Sequence, residues 1–91
     1  MNVTAELSLY PLDGAPLEKI LAFIATVTGD GRLEVVVNQL STQVRGELAV
    51  VMEVLTTAIE RSFAGSASQV LVIKILNADL PIAEPPLLEP R

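Results

Sequence analysis

Hydrophobic and polar residues alternate over the first ten positions of the chain. From Asn2 to Tyr10, the odd positions hold valine, alanine or leucine, and the even positions hold polar residues or tyrosine. A period of two with one apolar side predicts a β-strand that is buried on one face. Pro11 follows, and because proline has no N–H to give to a ladder, we expect the strand to end there.

Two longer segments carry apolar residues at helical spacing. The first begins at Pro16, a residue type favoured at the first helical position, and ends at Gly29. Its predicted buried residues are Leu17, Ile20, Leu21, Ile24 and Val27. The second segment is Glu47–Phe63, and Gly65 is expected to close it. Its predicted buried residues are Leu48, Val51, Met52, Leu55, Ile59 and Phe63.

Three further strands are predicted: Arg32–Asn38, Thr42–Arg45 and Gln69–Leu76. The last of these is apolar on both faces apart from Lys74, which is typical of a strand covered on both sides. The order strand, helix, strand, strand, helix, strand predicts an α+β fold of the ferredoxin-like βαββαβ kind. It has a four-stranded antiparallel sheet with two helices on one face.

Right-handed crossovers predict that the first and last strands lie side by side in the middle of this sheet. The face without helices, called the open face below, is expected to carry Thr4, Glu6, Ser8, Val36, Val70, Val72 and Lys74. Residues 1–77 form the predicted ligand-binding domain, and residues 78–91 a proline-rich tail. We expect the tail to be extended, either loose or docked on a partner subunit.

Composition adds an expectation about assembly. Of the 91 residues, 51% are hydrophobic, and the mean hydropathy is +0.52. A domain of this size cannot bury so much apolar surface alone, so we expect a homo-oligomer. The apolar runs are too short to span a membrane, which takes about 20 residues. The N-terminus lacks the features of a signal peptide, so we expect a cytoplasmic protein with no membrane partner.

Charge and residue inventory exclude several functions. The net charge is −5 and the six basic residues are scattered, which argues against nucleic-acid binding. The chain has no histidine and no cysteine, so the usual nucleophile–base pairs and transition-metal ligands are missing. We therefore expect no enzyme, no metal site and no cofactor.

Polar residues cluster between the second and third strands. Asn38, Ser41 and Thr42 offer short donors and acceptors there, and Glu47 follows at the predicted start of the second helix. They are candidates for binding a neutral heterocycle, although on the residues alone a capped hairpin loop and an acid favoured by the helix dipole are the simpler explanations. Ser8 and Tyr10 end the first strand nearby, Tyr10 as a plate for a flat ring or as an interface aromatic.

Two of these segments carry a resemblance. Glu6–Leu12 (ELSLYPL), followed by Asn38-x-x-Ser41-Thr42-x-x-x-Gly46-Glu47, resembles the YkoF-like, thiamine-binding family of small ferredoxin-like proteins. The resemblance implies non-catalytic binding of thiamine or its hydroxymethylpyrimidine moiety, in vitamin uptake or salvage, by domains that pair through their open faces. With one domain in the chain, pairing would need a homodimer or a homotetramer. The implied pocket residues are Ser8, Tyr10, Asn38, Ser41, Thr42 and Glu47.

The acidic chain suits the thiazolium cation of thiamine, and no basic cluster is available for a diphosphate. We therefore expect thiamine to bind more strongly than thiamine diphosphate. Two other interpretations stay open: a regulatory or structural oligomerisation module without a vitamin ligand, and a small enzyme enclosed by paired domains. Glu6 and Lys74, on strands that we expect to be neighbours, favour a cross-strand ion pair over a binding role.

Overall fold

The computed structural model describes residues 1–64 and 68–88 of the chain. Its elements follow the predicted order. They are β1 (Asn2–Pro11), α1 (Pro16–Gly29), β2 (Glu34–Val37), β3 (Thr42–Glu47), α2 (Leu48–Ala64) and β4 (Gln69–Leu76). The ferredoxin-like α+β fold is therefore confirmed, with a four-stranded antiparallel sheet and two helices. The predicted closure of α2 by Gly65 lies outside the described residues.

The second strand is shorter than predicted because the turn before it takes up more of the chain. Gly31 adopts a left-handed conformation with φ of 82°, which residues with a Cβ rarely adopt. Asp30 supports the same turn, since its carboxylate accepts hydrogen bonds from the backbone and the guanidinium of Arg32. The chain can enter the sheet only after this turn, and β2 begins at Glu34.

The strand order is β2-β3-β1-β4, so one prediction about the sheet is wrong. β1 and β4 are neighbours as expected, but β4 lies at an edge, and β3 shares the middle with β1. The reason is topological: the α1 crossover carries the chain past one strand position, and the β2–β3 hairpin returns β3 into that gap. Among residues 1–64 and 68–88, no strand therefore encloses the outer side of the apolar β4.

The core lies between the sheet and the helices. The odd-numbered residues of β1 face the helices, together with Val44 at the centre of β3. The buried hydrophobic residues are Val3, Ala5, Leu7, Leu9, Phe23, Val27, Val44, Val51, Val54, Leu55 and Ala58. Leu71 and Ile73 of β4 pack against this cluster from the edge.

The predicted stripes of both helices are confirmed in part: Val27, Val51 and Leu55 are buried, and Ile20, Leu48 and Ile59 pack against the core. In α1, Phe23 and Val27 are buried, whereas Leu17 and Leu21 are 66% and 55% exposed. The physical reason is that α1 carries two apolar stripes, and the one with the larger ring of Phe23 faces the sheet.

In α2, the predicted core residues Met52 and Phe63 are 45% and 43% exposed, and Val54 and Ala58 are buried instead. α1 packs against the side of α2 that carries Val54 and Ala58, and this contact turns Met52 and Phe63 outward. Within the described residues, no helix is long and apolar enough to cross a membrane.

Residues 78–82 of the tail, called the strap below, fold back onto the open face of their own chain. Thr4 Oγ1 donates to the carbonyl of Ala78 at 2.8 Å and accepts from the N–H of Leu80 at 3.0 Å. Between them, the carboxylate of Asp79 accepts a hydrogen bond from Arg45 Nε at 2.5 Å. These bonds bury Thr4, and the strap is docked on its own sheet.

Candidate functional site

The β2–β3 hairpin ends in a four-residue loop, residues 38–41, at the same end of the sheet as Ser8. The N–H of Asn38 donates to the carbonyl of Ser41 at 2.8 Å and closes the base of this loop. The loop residues Asn38, Gln39 and Leu40 are exposed. A polar loop is therefore fixed at its base, while its tip stays open to solvent.

A carboxylate lies next to this loop on the open face. Glu6 occupies the centre of β1, between Gln43 of β3 and Lys74 of β4. Its Oε2 accepts a hydrogen bond from Ser41 Oγ at 3.2 Å, and its Oε1 lies 3.6 Å from Lys74 Nζ. The cross-strand ion pair of Glu6 with Lys74 is confirmed, but exposed pairs of this kind contribute little to stability. Glu6 can still accept hydrogen bonds from an incoming group.

Ser8 extends the cluster toward the loop tip. Its Oγ lies 3.5 Å from the carbonyl of Leu40, at the limit of a hydrogen bond. Because this bond is long, the hydroxyl is easily reoriented toward a ligand. The open face therefore carries two hydroxyl groups and one carboxylate beside the loop, from Ser8, Ser41 and Glu6.

A cleft opens between the loop and α1, on the helix side of the sheet. Its volume is about 90 Å³. Its apolar wall consists of Leu7, Leu9, Ile20, Phe23 and Ile24. Thr42 also lines it, is almost completely buried, and points to the opposite side of β3 from Ser41. The loop thus separates an apolar cleft from the polar cluster on the open face.

A second, larger groove runs across the open face beside the strap. Its volume is about 380 Å³. It is lined by Thr4, Ala5, Glu6, Gln43, Lys74, Ile75, Leu76, Leu80 and Ile82. Glu6 borders this groove, and its hydrogen-bond partner Ser41 borders the cleft. The Glu6–Ser41 pair therefore stands between the two cavities.

The structure brings some predicted site residues together and separates others. Ser8, Ser41 and Thr42 all line the cleft, and Asn38 holds the loop that forms its rim. Tyr10 lies two residues beyond Ser8 on the same side of β1 and is 54% exposed.

Glu47 is separated from this cluster. It is the last residue of β3, not the first of the helix, and it pairs with the N-terminal ammonium at 2.9 Å. The five-residue offset from Thr42 corresponds to roughly 16 Å along a strand. Its participation in a common pocket stays a prediction, and one chain alone does not bring it to the loop.

Two contributors to the cluster were not among the predicted site residues. Glu6 was assigned to the ion pair, and Phe23 was not placed in the predicted stripe of α1. The signal for Glu6 was its even position on β1, which places it on the same face as Ser8. The register that sets it against the loop depends on β3 being its neighbour, which a local pattern does not specify.

The described residues contain no group of three acidic side chains that could hold a metal ion. The candidate site offers hydrogen bonding by hydroxyl, amide and carboxylate groups next to an apolar wall. Such a set can bind and orient a polar heterocycle.

No protein-family model matches the chain, and no curated protein matches it. Solved structures do match. A protein from Streptococcus pneumoniae is 22% identical over 88% of this chain and 90% of its own, with a TM-score of 0.78. A domain of unknown function (DUF77) from Bacillus cereus is 24% identical over 87% of this chain and 78% of its own, with a TM-score of 0.74.

A third match is a protein of Thermotoga maritima that has been provisionally assigned to thiamine biosynthesis or salvage. It is 21% identical over 96% of this chain and 91% of its own, with a TM-score of 0.75. These identities are all below 25%, so the likeness establishes the shared fold. The chain has the same ferredoxin-like architecture as a thiamine-related protein and as DUF77 proteins.

Proposed function

We propose that this protein binds thiamine, or its hydroxymethylpyrimidine moiety, without catalysing a reaction, in vitamin uptake or salvage in the cytoplasm. The observation that carries the proposal is the Glu6–Ser41 hydrogen bond of 3.2 Å at the rim of an apolar cleft. The fold shared with the Thermotoga protein supports the same choice of ligand.

The chemistry of the cluster suits an aminopyrimidine. The carboxylate of Glu6 can accept from the exocyclic amine, and the hydroxyl groups of Ser8 and Ser41 can donate to ring nitrogens. Leu80 and Ile82, which line the groove together with Glu6, can cover a flat ring. A thiazolium cation would then be stabilised by the carboxylate and by the acidic net charge of the chain.

The cleft of one chain is too small for the whole ligand. Its volume of about 90 Å³ is well below the roughly 300–1,000 Å³ that is usual for small-molecule sites. We propose that the rest of the ligand lies in the groove of about 380 Å³ that Glu6 borders on the open face, and that a second copy, brought against this face, encloses it. The functional unit would then be a homodimer, or a homotetramer of two such pairs.

Calorimetric titration tests the ligand. We expect thiamine to bind more tightly than thiamine diphosphate, because the described residues place a single lysine, Lys74, beside Glu6, and it is already paired with that carboxylate. A preference for the diphosphate would contradict the proposed binding mode. No heat and no thermal shift with thiamine or hydroxymethylpyrimidine at millimolar concentration would favour an oligomerisation module without a vitamin ligand.

Variants test the site. Glu6→Gln and Ser41→Ala are each expected to weaken thiamine binding about 10- to 100-fold, because each removes one partner of a charge-assisted hydrogen bond. The double variant Asn38→Ala/Thr42→Ala should also weaken binding, since it removes an exposed amide group from the loop and a hydroxyl group from the cleft wall. Glu53→Gln is the control: it removes the same charge as Glu6→Gln, on an exposed part of α2. Unchanged binding in folded Glu6→Gln and Ser41→Ala would exclude this site.

A further inference from the structure

The exposed edge of β4 lacks the features that normally protect a sheet edge. Within the part of the chain that the structure describes, no strand pairs with its outer side. β4 has eight residues in unbroken register with β1, no proline, and one charge, Lys74. Val70, Val72, Ile75 and Leu76 are all between 42% and 47% exposed. A long, flat, apolar edge of this kind is a template for another strand.

The flank of α2 above this edge is also apolar and exposed. Val54, Thr57, Ala58 and Arg61 face α1, because they line the cavities between the two helices. Helical geometry places Met52, Ile59 and Phe63 on the opposite flank. Since the α2 crossover leads to β4 and the α1 crossover leads to β2, that flank lies on the β4 side of the molecule.

We infer that a second copy of this chain docks on this surface, β4 against β4 and α2 against α2, about a two-fold axis perpendicular to the sheet. The two sheets then form one eight-stranded antiparallel sheet with all four helices on the same side. This interface uses the edge of the sheet, so it is independent of the pairing of open faces under the proposed function.

Symmetry restricts the register. In an antiparallel pair, residues directly opposite each other share a face, so the two-fold axis must pass beside a residue that faces its own copy. With the axis at Ile73, Leu71 faces Ile75 and Val70 faces Leu76, and Val72 is the one apolar residue among these that meets a polar one, Lys74. With the axis at Val72, Ile75 would face Gln69. Matching of apolar side chains therefore favours Ile73.

Charge agrees with this arrangement. Lys74 faces Val72 of the other copy, and its ammonium group lies toward Glu6 of its own chain, so the two lysines are not directly opposed.

The other possible occupants fit this edge less well. β2, the opposite edge of the sheet, has four residues and begins with Glu34, which is ion-paired to Arg45. It cannot match an eight-residue strand in a head-to-tail contact. The strap crosses the open face at Thr4 and leaves the outer side of β4 free.

A cross-linking experiment tests the inference. Because the chain has no native cysteine, an introduced cysteine has no competing thiol in the same chain. Ile73→Cys should form a disulfide-linked dimer under mild oxidation, because residues at the axis of an antiparallel pair have Cα atoms about 4.5–5.5 Å apart. Val37→Cys is the matched control: it faces the helices on the opposite edge and is 49% exposed. It should stay monomeric on non-reducing gels. Open-face pairing does not join Ile73 to its copy, since this side chain points to the other side of the sheet.

A second pair of variants tests the helix contact without changing the strand. Met52→Glu/Phe63→Glu should halve the mass measured by light scattering and raise the dissociation constant at least about tenfold. Leu17→Glu/Leu21→Glu, on the outer flank of α1, should leave the mass unchanged. The inference is overturned if Ile73→Cys cross-links no better than Val37→Cys, or if the Met52→Glu/Phe63→Glu protein keeps the wild-type mass. Neither result depends on thiamine.

Discussion

Thr4 is the residue that ties the strap to the sheet. Its hydroxyl group uses both its donor and its acceptor capacity, at 2.8 and 3.0 Å, and is buried by the segment it binds. Thr4→Val keeps the shape and leaves the carbonyl of Ala78 and the N–H of Leu80 without these bonds. We expect the free energy of unfolding to fall by about 1–3 kcal/mol. Urea denaturation measures this loss.

Thr56→Val is the matched control for Thr4→Val. The Thr56 hydroxyl group donates to the carbonyl of Met52 within α2 and is exposed, so its loss should change stability by less than about 0.5 kcal/mol. Faster proteolysis at residues 78–82 should accompany Thr4→Val alone. Equal effects of the two substitutions would show that the strap contributes nothing.

Asp79 makes the attachment of the strap sensitive to acid. The hydrogen bond from Arg45, assisted by a weaker one from Asn2, lowers the pKa of the Asp79 carboxyl below its usual value of 3.8. A carboxyl whose folded pKa is lowered stabilises the fold above its unfolded pKa, and this contribution is lost as the pH falls through the folded pKa. We therefore expect the strap to be held at neutral pH and to loosen below about pH 4.

The amide resonance of Leu80 is a direct measure of this transition. Its chemical shift should titrate with a midpoint below 3.8, the usual Asp value, and Asp79→Asn should abolish the titration. A midpoint at or above that value would contradict the ion pair.

At the scale of single residues, the sequence predicts which chemical groups are available better than it predicts on which face of the sheet they lie. The hydroxyl groups of Ser41 and Thr42 are adjacent in sequence, yet Ser41 bonds Glu6 on the open face and Thr42 faces the helices. Strand alternation separates them, and the start of β3 at Thr42 determines which residue takes which side. Glu47 illustrates the same limit, because β3 extends two residues beyond its predicted end.

Among the elements, β3 depends on a close approach to the segment before β2. A Cβ built on Gly46 would lie 2.5 Å from Cδ2 of Leu33, so this leucine packs directly over the glycine. Gly46→Ala forces Leu33 to move and should lower the free energy of unfolding by about 1–3 kcal/mol. Chemical denaturation of the variant measures the loss.

The Leu33→Ala background provides the control for this contact. Removing the leucine side chain removes the clash, so Gly46→Ala should then have almost no further effect on stability. The same loss in both backgrounds would place its cause in the backbone of β3 and not in the packing of Leu33.

The order and type of the elements were predictable from the sequence, whereas the surfaces against which they pack were not. Hydrophobic periodicity predicted six elements because local alternation and helical spacing depend on neighbours along the chain. The strand β4 has the composition of an enclosed strand, and Met52 and Phe63 have the spacing of core residues. Both expectations fail within one chain for the same reason: periodicity shows that a surface is apolar, and not whether another part of the fold covers it.

For the whole molecule, assembly should appear as a dependence of thermal stability on concentration. Exposed apolar residues on β4 and α2 become buried only when copies associate, so the melting temperature should rise with protein concentration. Differential scanning fluorimetry over about a hundredfold dilution checks this. The Met52→Glu/Phe63→Glu variant should show a weaker dependence, and a constant melting temperature for the wild type would contradict association.

The two proposed interfaces also bear on the number of copies. Pairing of open faces and pairing of β4 edges use different residues, so both can be satisfied at once in a tetramer with three mutually perpendicular two-fold axes. The sequence predicted self-association from its surplus of hydrophobic residues. It could not distinguish one interface from two, because composition does not record where on the surface those residues lie.

Tyr10 gives the molecule a built-in optical reporter. It is the single tyrosine of a chain without tryptophan, and its ring stands half in solvent beside Ser8 on the open face. Its intrinsic fluorescence therefore comes from one known place. Quenching by acrylamide should diminish when a ligand or a second copy shields that ring. It should not change when a molecule binds at the β2 edge of the sheet.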